Sequence, residues 1–342
     1  MEQFNGRSLA VIYGSDSSEW EISCKSGLFT ASQIDGSRFD VYEIFARFGD
    51  WKVVAARPLG GERVELEPAP QVDKTDFSAL VNGVKVKFDY AYIMQHGIPG
   101  ENGQLQGYLQ MLRVPFSSCN SFVSTIIFDK FSCKSYLKDV DFVRCAKDIF
   151  LRKGDTLEGI EEKVTAQLGY PVFVKPTDGG SSFGVTKVKK AEDLRAAIEF
   201  AFEDTATVMI EAGVSGREIT CAVYQDGDVD VALPVIEIVT DHEFFDYEAK
   251  YNGFSEEICP APLDARMTAR VQETSRKIYN QLGCKGLVRV DYILSGDELY
   301  FLEMNTIPGM TAASLVPKMV RTAGLSMTDF LNTVIDSTAA GR

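Results

Sequence analysis

Two apolar, strand-like stretches near the end of the chain constrain its fold more than any other feature. They are Lys285–Leu294 and Leu299–Gly309, and the Ser-Gly-Asp segment between them predicts a β-hairpin. Polar residues interrupt both stretches: Arg289 and Asp291 in the first, Glu303 and Asn305 in the second. Side chains alternate between the two faces of a strand, so each polar pair projects from one face. One register of the hairpin places Asp291 opposite Glu303.

Two carboxylates on directly opposed residues would repel each other and take up protons unless a cation lay between them. Asp291, Glu303 and Asn305 offer hard oxygen ligands, which favour magnesium or manganese, and magnesium at such sites is commonly completed by nucleotide phosphates. The alternative for an isolated hairpin is a solvated strand face with an incidental Arg-Asp pair.

Composition narrows the class of protein. A chain of 342 residues predicts two or three domains, and 35 Lys plus Arg against 49 Asp plus Glu give a net charge of -14. That charge argues against a nucleic-acid or anionic-membrane partner, and no uninterrupted apolar run is long enough to span a bilayer, so we expect a cytoplasmic protein. The seven scattered cysteines are typical of reduced packing thiols.

In the first part of the chain, two buried-type strands end in loops that carry candidate site residues. Leu9–Tyr13 leads to Ser18 and Glu21, a capping-box pattern that predicts a helix start, with Glu19 between them. Asp89–Met94 leads to His96. Open α/β sheets bind ligands at such strand ends. The alternatives are a glutamate that interacts with the helix dipole and a structural histidine.

The middle of the chain has the features of an anion site. Lys175 ends a short buried strand, and a glycine-rich loop at 179–184 follows it, whose backbone N–H groups can approach phosphates closely. The loop is not a Walker A motif, because no Lys-Ser or Lys-Thr follows the glycines. It is not a dinucleotide fingerprint either, because the chain continues as a strand rather than as a helix, so a hairpin lid describes it better. The alternative is a flexible surface turn. Lys130, in a helical pattern, points at an anion or at water.

A strand that ends at Glu211 is followed by a second strand that begins near Glu218. The first carboxylate is placed to accept from an adenine amino group and the second from ribose hydroxyls. The alternative is a pair of solvated glutamates at strand edges.

Together these motifs resemble the ATP-grasp ligases and, more narrowly, the D-alanine:D-alanine ligases. The matching patterns, in chain order, are Gly14-x-x-Ser17-x-Glu19, His96-Gly-x-x-Gly-Glu101, Lys175-Pro, Gly180-Ser-Ser-x-Gly184, Glu211 with Glu218, Phe245-Asp-Tyr-Glu248-Ala-Lys250-Tyr251, Arg289-x-Asp291, Glu303-x-Asn305-x-x-Pro-Gly309 and Ser314-Leu315-x-Pro317. The resemblance covers most of the chain apart from 50–87 and much of 131–165.

The resemblance implies an α/β fold of the ATP-grasp type, in which a Rossmann-like N-terminal domain precedes the two-part ATP-grasp fold. The implied domains are an N-terminal substrate domain at 1–121, a central lid domain at 122–212, and a C-terminal domain at 213–342 with the metal and substrate sites. A homodimer is usual in the family.

The family also implies roles for individual residues. ATP would be bound by Lys130, Lys175, Ser182, Glu211, Glu218, Phe244 and Lys250. Two magnesium (or manganese) ions would be held by Asp291, Glu303 and Asn305. The implied catalytic residues are Glu19, Ser181, Tyr251, Arg289 and Ser314, and the implied D-alanine contacts are His96, Gly309 and Leu315. Without the resemblance, Ser314 is interpreted as a helix cap.

The implied activity is ATP-dependent joining of two D-alanine molecules, through an acyl phosphate, for peptidoglycan synthesis. The chain departs from the common pattern at Ser15, Trp20, Asn102 and Phe116-Ser117. Three alternatives stay open: a D-alanine:D-serine ligase, another ATP-grasp enzyme that joins a carboxylate to an amine, and a nucleotide-binding module without catalysis. Tyr251 favours an amino acid over D-lactate as second substrate.

Overall fold

The computed structural model describes residues 6–179, 184–203, 205–240 and 255–340. Its strands form four β-sheets, and its helices pack on them. This arrangement confirms the predicted α/β fold class.

The N-terminal sheet is built around β1 (Ser8–Gly14), which is buried at every residue after Ser8. β1 pairs in parallel with β2 (Asp40–Arg47) and with β8 (Tyr90–Ile93), and helix α1 (Trp20–Gln33) connects β1 to β2, as in a Rossmann-like domain. The sheet order is β4-β3-β2-β1-β8, with β3 at Asp50–Arg57 and β4 at Val64–Glu65. The capping-box prediction is wrong, because Glu19 is the N-cap of α1 and no side chain caps the helix.

Residues 50–87, for which the sequence suggested no function, continue this domain. Beyond β3 and β4 they form a small antiparallel sheet of β5 (Val72–Asp73), β6 (Ser78–Val81) and β7 (Val84–Lys87). Helix α2 (Gln104–Met111) follows the loop that carries His96.

The central domain has a four-stranded antiparallel sheet and a hydrophobic core of its own. The sheet order is β10-β13-β11-β12, and two helices pack on it. The elements are β10 (Asp148–Arg152), β11 (Val172–Pro176), β12 (Thr186–Val188), β13 (Thr207–Ala212), α5 (Ile160–Gln167) and α6 (Leu194–Ala201).

The C-terminal domain contains a larger, mostly antiparallel sheet of order β17-β16-β14-β18-β19-β9, with β15 paired to β14. Its strands are β9 (Arg144–Cys145), β14 (Arg217–Asp226), β15 (Val229–Ala232), β16 (Ile236–Thr240), β17 (Ser255–Ile258), β18 (Val288–Ser295) and β19 (Glu298–Asn305). The helices of this part are α7 (Ala265–Gln281), α8 (Leu315–Thr322) and α9 (Met327–Ala339).

The hydrophobic cores do not divide the molecule in the order in which its sheets follow along the chain. One core combines the N-terminal sheet with one face of the C-terminal sheet and with α8 and α9. A second core, on the other side of the C-terminal sheet, includes α3 (Ser121–Phe128) and α4 (Lys130–Leu137). The first residues of the predicted 122–212 domain therefore pack with the C-terminal sheet, whereas the lid core begins at Ile149.

Candidate functional site

Two cavities meet between the N-terminal, central and C-terminal sheets. The first, of about 680 Å³, lies between the loops after β1 and β8 and the end of β19, and the second, of about 510 Å³, lies between the central and C-terminal sheets. Both cavities are lined by Lys130, Gly179 and Glu303. A ligand that fills the second cavity can therefore present one end to a ligand in the first.

The predicted hairpin register is confirmed. Asp291 is the Cα partner of Glu303, and Arg289 is the partner of Asn305. The Asp291 carboxylate is 4% exposed and accepts two hydrogen bonds from the Arg289 guanidinium, from Nε at 2.8 Å and from a terminal nitrogen at 2.7 Å. Asn305 Nδ2 donates to it at 3.1 Å. The predicted ligand residues therefore share one corner of the sheet, where Glu303 and Asn305 line the first cavity.

Thr220, on β14, was missed by the sequence reasoning. Its hydroxyl donates to Asp291 Oδ1 at 2.5 Å and so fixes the carboxylate from the neighbouring strand. Only the pairing of β14 with β18 reveals this contact, because the two residues are far apart in the sequence.

Lys130 lies where the two cavities meet. Its ammonium donates to the carbonyl oxygen of Gly179 at 2.7 Å and lies 3.7 Å from Glu303 Oε2. Asp129 caps α4 by accepting from the N–H of Ser132 at 2.7 Å, which fixes the backbone from which Lys130 projects. The cation is thus held between the end of β19 and the glycine-rich loop.

The second cavity contains the other predicted nucleotide contacts, Lys175, Glu211 and Glu218. Glu211 is 4% exposed, and its carboxylate contacts the ammonium groups of Lys175 and Lys134. Burial would raise the pKa of Glu211, but these two cations outweigh it and hold the pKa below its usual range. The sequence reasoning missed Lys134, although it lies one helical turn after Lys130 on α4.

The loops after β1 and β8 bring Glu19, His96 and Glu101 to the first cavity. Ser17 joins the loops, because its hydroxyl donates to the carbonyl of His96 at 2.9 Å and accepts from the N–H of Glu19 at 3.2 Å. Ser15 adopts a φ of 92°, in the left-handed region where the family usually has a second glycine.

Burial shifts the ionisation of two of these groups. The His96 ring contacts the Ser26 hydroxyl at 2.9 Å and the Ile307 carbonyl at 3.0 Å, and burial lowers its pKa although Glu19 opposes the change. Glu101 accepts from the N–H of Gly97 at 2.7 Å, and burial together with the charge of Glu19 raises its pKa to about 8.

Ser314 is the N-cap residue of α8, yet its side chain does not cap the helix. The third helical residue is Pro317, which has no N–H to donate. The Ser314 hydroxyl instead accepts from the backbone N–H of Thr311 at 3.0 Å and lies beside Gly309 and Leu315 on the cavity wall. The interpretation of Ser314 as a helix cap is therefore wrong for its hydroxyl.

The family departures have local packing roles. Arg47 stacks on the ring of Trp20 at 4.5 Å, the Asn102 side chain accepts from the N–H of Gln104 at 3.3 Å, and the Ser117 hydroxyl accepts from the N–H of Ile93 at 2.9 Å. The predicted site residues that lie outside the described residues are Ser181, Ser182, Phe244, Lys250 and Tyr251. Among the described helices, none combines the length and apolar character needed to cross a bilayer.

Family models and a curated relative both match nearly the whole length of this chain. The family model for the D-ala D-ala ligase N-terminus matches residues 8–119, and the model for the D-ala D-ala ligase C-terminus matches residues 137–336. A curated relative, the D-alanine–D-alanine ligase of Phocaeicola vulgatus, is 46% identical over 332 residues, which cover 97% of this chain and 99% of the relative.

Solved structures of ligases are also similar to this chain. The VanG D-Ala:D-Ser ligase from Enterococcus faecalis is similar with a TM-score of 0.82 and 31% identity, over 96% of this chain and 98% of that chain. A D-alanine–D-alanine ligase from Bacillus anthracis, solved in complex with ATP, has a TM-score of 0.73 and 27% identity, over 97% and 96% of the two chains.

Proposed function

This chain belongs to the D-alanine–D-alanine ligase family, and from its site we infer that it joins two D-alanine molecules at the expense of ATP, for peptidoglycan synthesis. The observation that carries this inference is the meeting of the two cavities at Lys130 and Glu303. ATP in the second cavity would direct its terminal phosphate to that junction, where an amino acid held in the first cavity can attack it.

We assign the nucleotide contacts by charge and position. Lys130 and Lys175 supply cations for the phosphates, Glu211 an acceptor for the adenine amino group and Glu218 acceptors for the ribose hydroxyls. Phe244, Lys250 and Ser182 complete the nucleotide site in this proposal on the basis of the family pattern alone.

The donor set of Asp291, Glu303 and Asn305 fits magnesium or manganese, because all three offer hard oxygen atoms within one corner of the sheet. Two ions held there would offset the negative charge of the phosphates. In the described structure Arg289 balances the Asp291 carboxylate. Arg289 would also lie close enough to contact a phosphate or an oxyanion at the same place.

The first D-alanine would bind with its ammonium near Glu19 and its carboxylate toward Lys130, with His96 beside it. One oxygen of that carboxylate attacks the terminal phosphorus, and the bond to ADP breaks, which gives an acyl phosphate. The carboxylate oxygen is a poor leaving group, and this step converts it into phosphate, which leaves readily. Ser181 and Tyr251, by the family pattern, would link to Glu19 and keep water from the intermediate.

The second D-alanine would bind with its carboxylate at Ser314 and the N-terminus of α8 and its methyl group near Leu315. Its neutral amine attacks the acyl carbon, the resulting oxyanion is stabilised by Arg289 and the backbone near Gly309, and phosphate leaves as the nitrogen loses a proton. On the basis of the family pattern we also propose a cytoplasmic homodimer as the working form.

The test is phosphate release from Mg-ATP with D-alanine, with L-alanine, and with D-alanine plus D-serine or D-lactate, with the product masses measured. We expect strong release and a D-alanyl-D-alanine mass with D-alanine alone, and no release with L-alanine. Release that does not depend on D-alanine, or a different product mass, would reject this function in favour of another carboxylate-amine ligation.

A second candidate, D-alanine:D-serine ligation, is favoured by the likeness to the Enterococcus faecalis enzyme. One added hydroxyl changes selectivity only modestly in a permissive pocket. Equal concentrations of D-alanine and D-serine distinguish the two functions, because a D-serine ligase yields mainly the mixed dipeptide.

A further inference from the structure

A buried cluster of four charged residues lies behind the nucleotide cavity. It consists of Lys134 on α4, Asp148 on β10, Lys175 on β11 and Glu211 on β13. The Lys134 side chain is 2% exposed, which is unusual for a lysine in a water-soluble domain. Burying an ammonium group is unfavourable unless the group is paired and hydrogen-bonded. The groups that Lys134 contacts therefore indicate its role.

The Lys134 ammonium makes three contacts with protein oxygens. It donates to the Ala146 carbonyl at 2.9 Å, lies 3.2 Å from Asp148 Oδ2 and contacts Glu211 Oε1. Ala146 and Glu211 both line the nucleotide cavity. Lys134 therefore contacts two wall groups of that cavity, and because its side chain is only 2% exposed and does not line the cavity, we do not assign it as a phosphate ligand.

Lys175 contacts the opposite oxygen of the same carboxylate, Glu211 Oε2. It lies at the end of β11 on the cavity wall, next to the glycine-rich loop. If Lys175 turns to the phosphates when a nucleotide binds, Lys134 becomes the cation that keeps Glu211 ionised. A carboxylate this deeply buried would otherwise take up a proton.

We propose that Lys134 is a positioning residue of the nucleotide site, which holds Glu211 as a carboxylate aimed at the amino group of the base while Lys175 engages the phosphates. This inference rests on the proposed function, since it deepens the assignment of Glu211 to the adenine. It predicts that Lys134 governs the choice of base rather than the chemistry at the terminal phosphate.

The pKa shifts of the cluster agree with this arrangement. Burial lowers the pKa of Lys134, but Glu211 and Asp148 outweigh it and raise the pKa above its ordinary value. The thiol of Cys145, which also faces the cluster, has its pKa raised to about 11 by burial, although Lys134 opposes that change. The two directions, Lys134 upward and Glu211 downward, both favour the ion pair between these two groups.

The experiment measures Mg-ADP and Mg-IDP binding by calorimetry without D-alanine, so that it does not depend on turnover. Adenine offers an amino group to Glu211, whereas hypoxanthine offers an oxygen. We expect Lys134→Met to weaken ADP binding roughly 10- to 100-fold, as for loss of a charged hydrogen-bond acceptor, with much less effect on IDP. Lys134→Arg should retain the preference for ADP, and Lys138→Met, at the exposed C-cap residue of the same helix, should behave as wild type.

Equal weakening of ADP and IDP by Lys134→Met would indicate a purely structural role and would overturn the proposal, as would unchanged ADP binding. Should Lys134→Met fail to fold, Glu211→Gln decides, because a wild-type ADP preference in that variant would also overturn it. Failure of D-alanine-dependent phosphate release would reject the proposed function while leaving these titrations interpretable.

Discussion

Three acids of the site lie beside a cation. Asp291 pairs with Arg289, Glu211 lies between two lysines, and Glu303 lies 3.7 Å from Lys130. For Glu211, the two lysines outweigh burial and hold the pKa below its usual range. In the proposed function these acids bind metal ions and a hydrogen-bond donor of the nucleotide.

Glu303→Ala should lower turnover by at least ~10³-fold, because it removes a proposed metal ligand at the junction of the two cavities. Initial rates of phosphate release at saturating Mg-ATP and D-alanine measure this. Glu298→Ala, at the start of the same strand with an exposed ion pair, should change the rate less than twofold. Normal activity in the Glu303 variant would refute the ligand role.

Glu101 should make stability depend on pH. Its pKa is raised to about 8 in the folded protein, so the folded state binds a proton that the unfolded state has lost between about pH 4.5 and 8. The free energy of unfolding therefore falls as pH rises through that interval. Glu101→Gln should reduce this fall, measured by urea unfolding at several pH values, whereas Glu62→Gln at an exposed position should not. The same slope in the Glu101 variant and wild type would contradict the assignment.

Among the elements, α8 begins without a side-chain cap, and we propose that its N-terminus binds the carboxylate of the second D-alanine. Pro317 removes one N–H of the first turn, and the Ser314 hydroxyl is directed to Thr311. The remaining N–H groups and the helix dipole favour a carboxylate at this end.

Ser314→Ala should raise the KM for the second D-alanine roughly 10-fold or more, with a smaller effect on the KM for ATP. Ser326→Ala is the matched control, since that hydroxyl does cap its helix by accepting from the N–H of Asp329 at 3.0 Å. It should cost about 1 kcal/mol of stability and leave both KM values unchanged. The assignment would be wrong if Ser314→Ala lowered stability without changing either KM.

The hairpin of β18 and β19 was predictable because its information is local. Alternating polar residues and a Ser-Gly-Asp turn determine which side chains face each other, and the register of Asp291 with Glu303 followed. Thr220 and Lys134 were not predictable in this way. Their roles arise from pairing with a distant strand and from packing of α4 against the central sheet, which one sequence without its fold does not reveal.

At the scale of the whole molecule, the N-terminal sheet and one face of the C-terminal sheet share a hydrophobic core, whereas the central sheet has a core of its own. Arg38 on the N-terminal side and Asp336 on α9 form an ion pair at 2.7 Å across the shared part. The nucleotide cavity lies between this larger unit and the central sheet. The sequence predicted three domains but not this grouping, because apolar residues do not indicate which distant partner they contact.

Mg-ATP should stabilise the protein against heat because it contacts both units. At 100 times its Kd, a ligand that binds only the folded state adds about 2.7 kcal/mol. Thermal unfolding should show this increase in wild type with ATP plus magnesium and a much smaller one with ATP plus a chelator. Equal stabilisation with and without magnesium would contradict the proposed metal site.

The most direct measurement follows the oxygen atoms of D-alanine. The enzyme is incubated with Mg-ATP and with D-alanine that carries ¹⁸O in its carboxylate. The carboxylate oxygen that attacks the phosphorus becomes the bridging oxygen of the acyl phosphate and leaves with the phosphate. We predict that mass spectrometry will find one ¹⁸O atom in each released phosphate. Phosphate without the label would contradict the acyl-phosphate route and, with it, the account of how the two cavities work together.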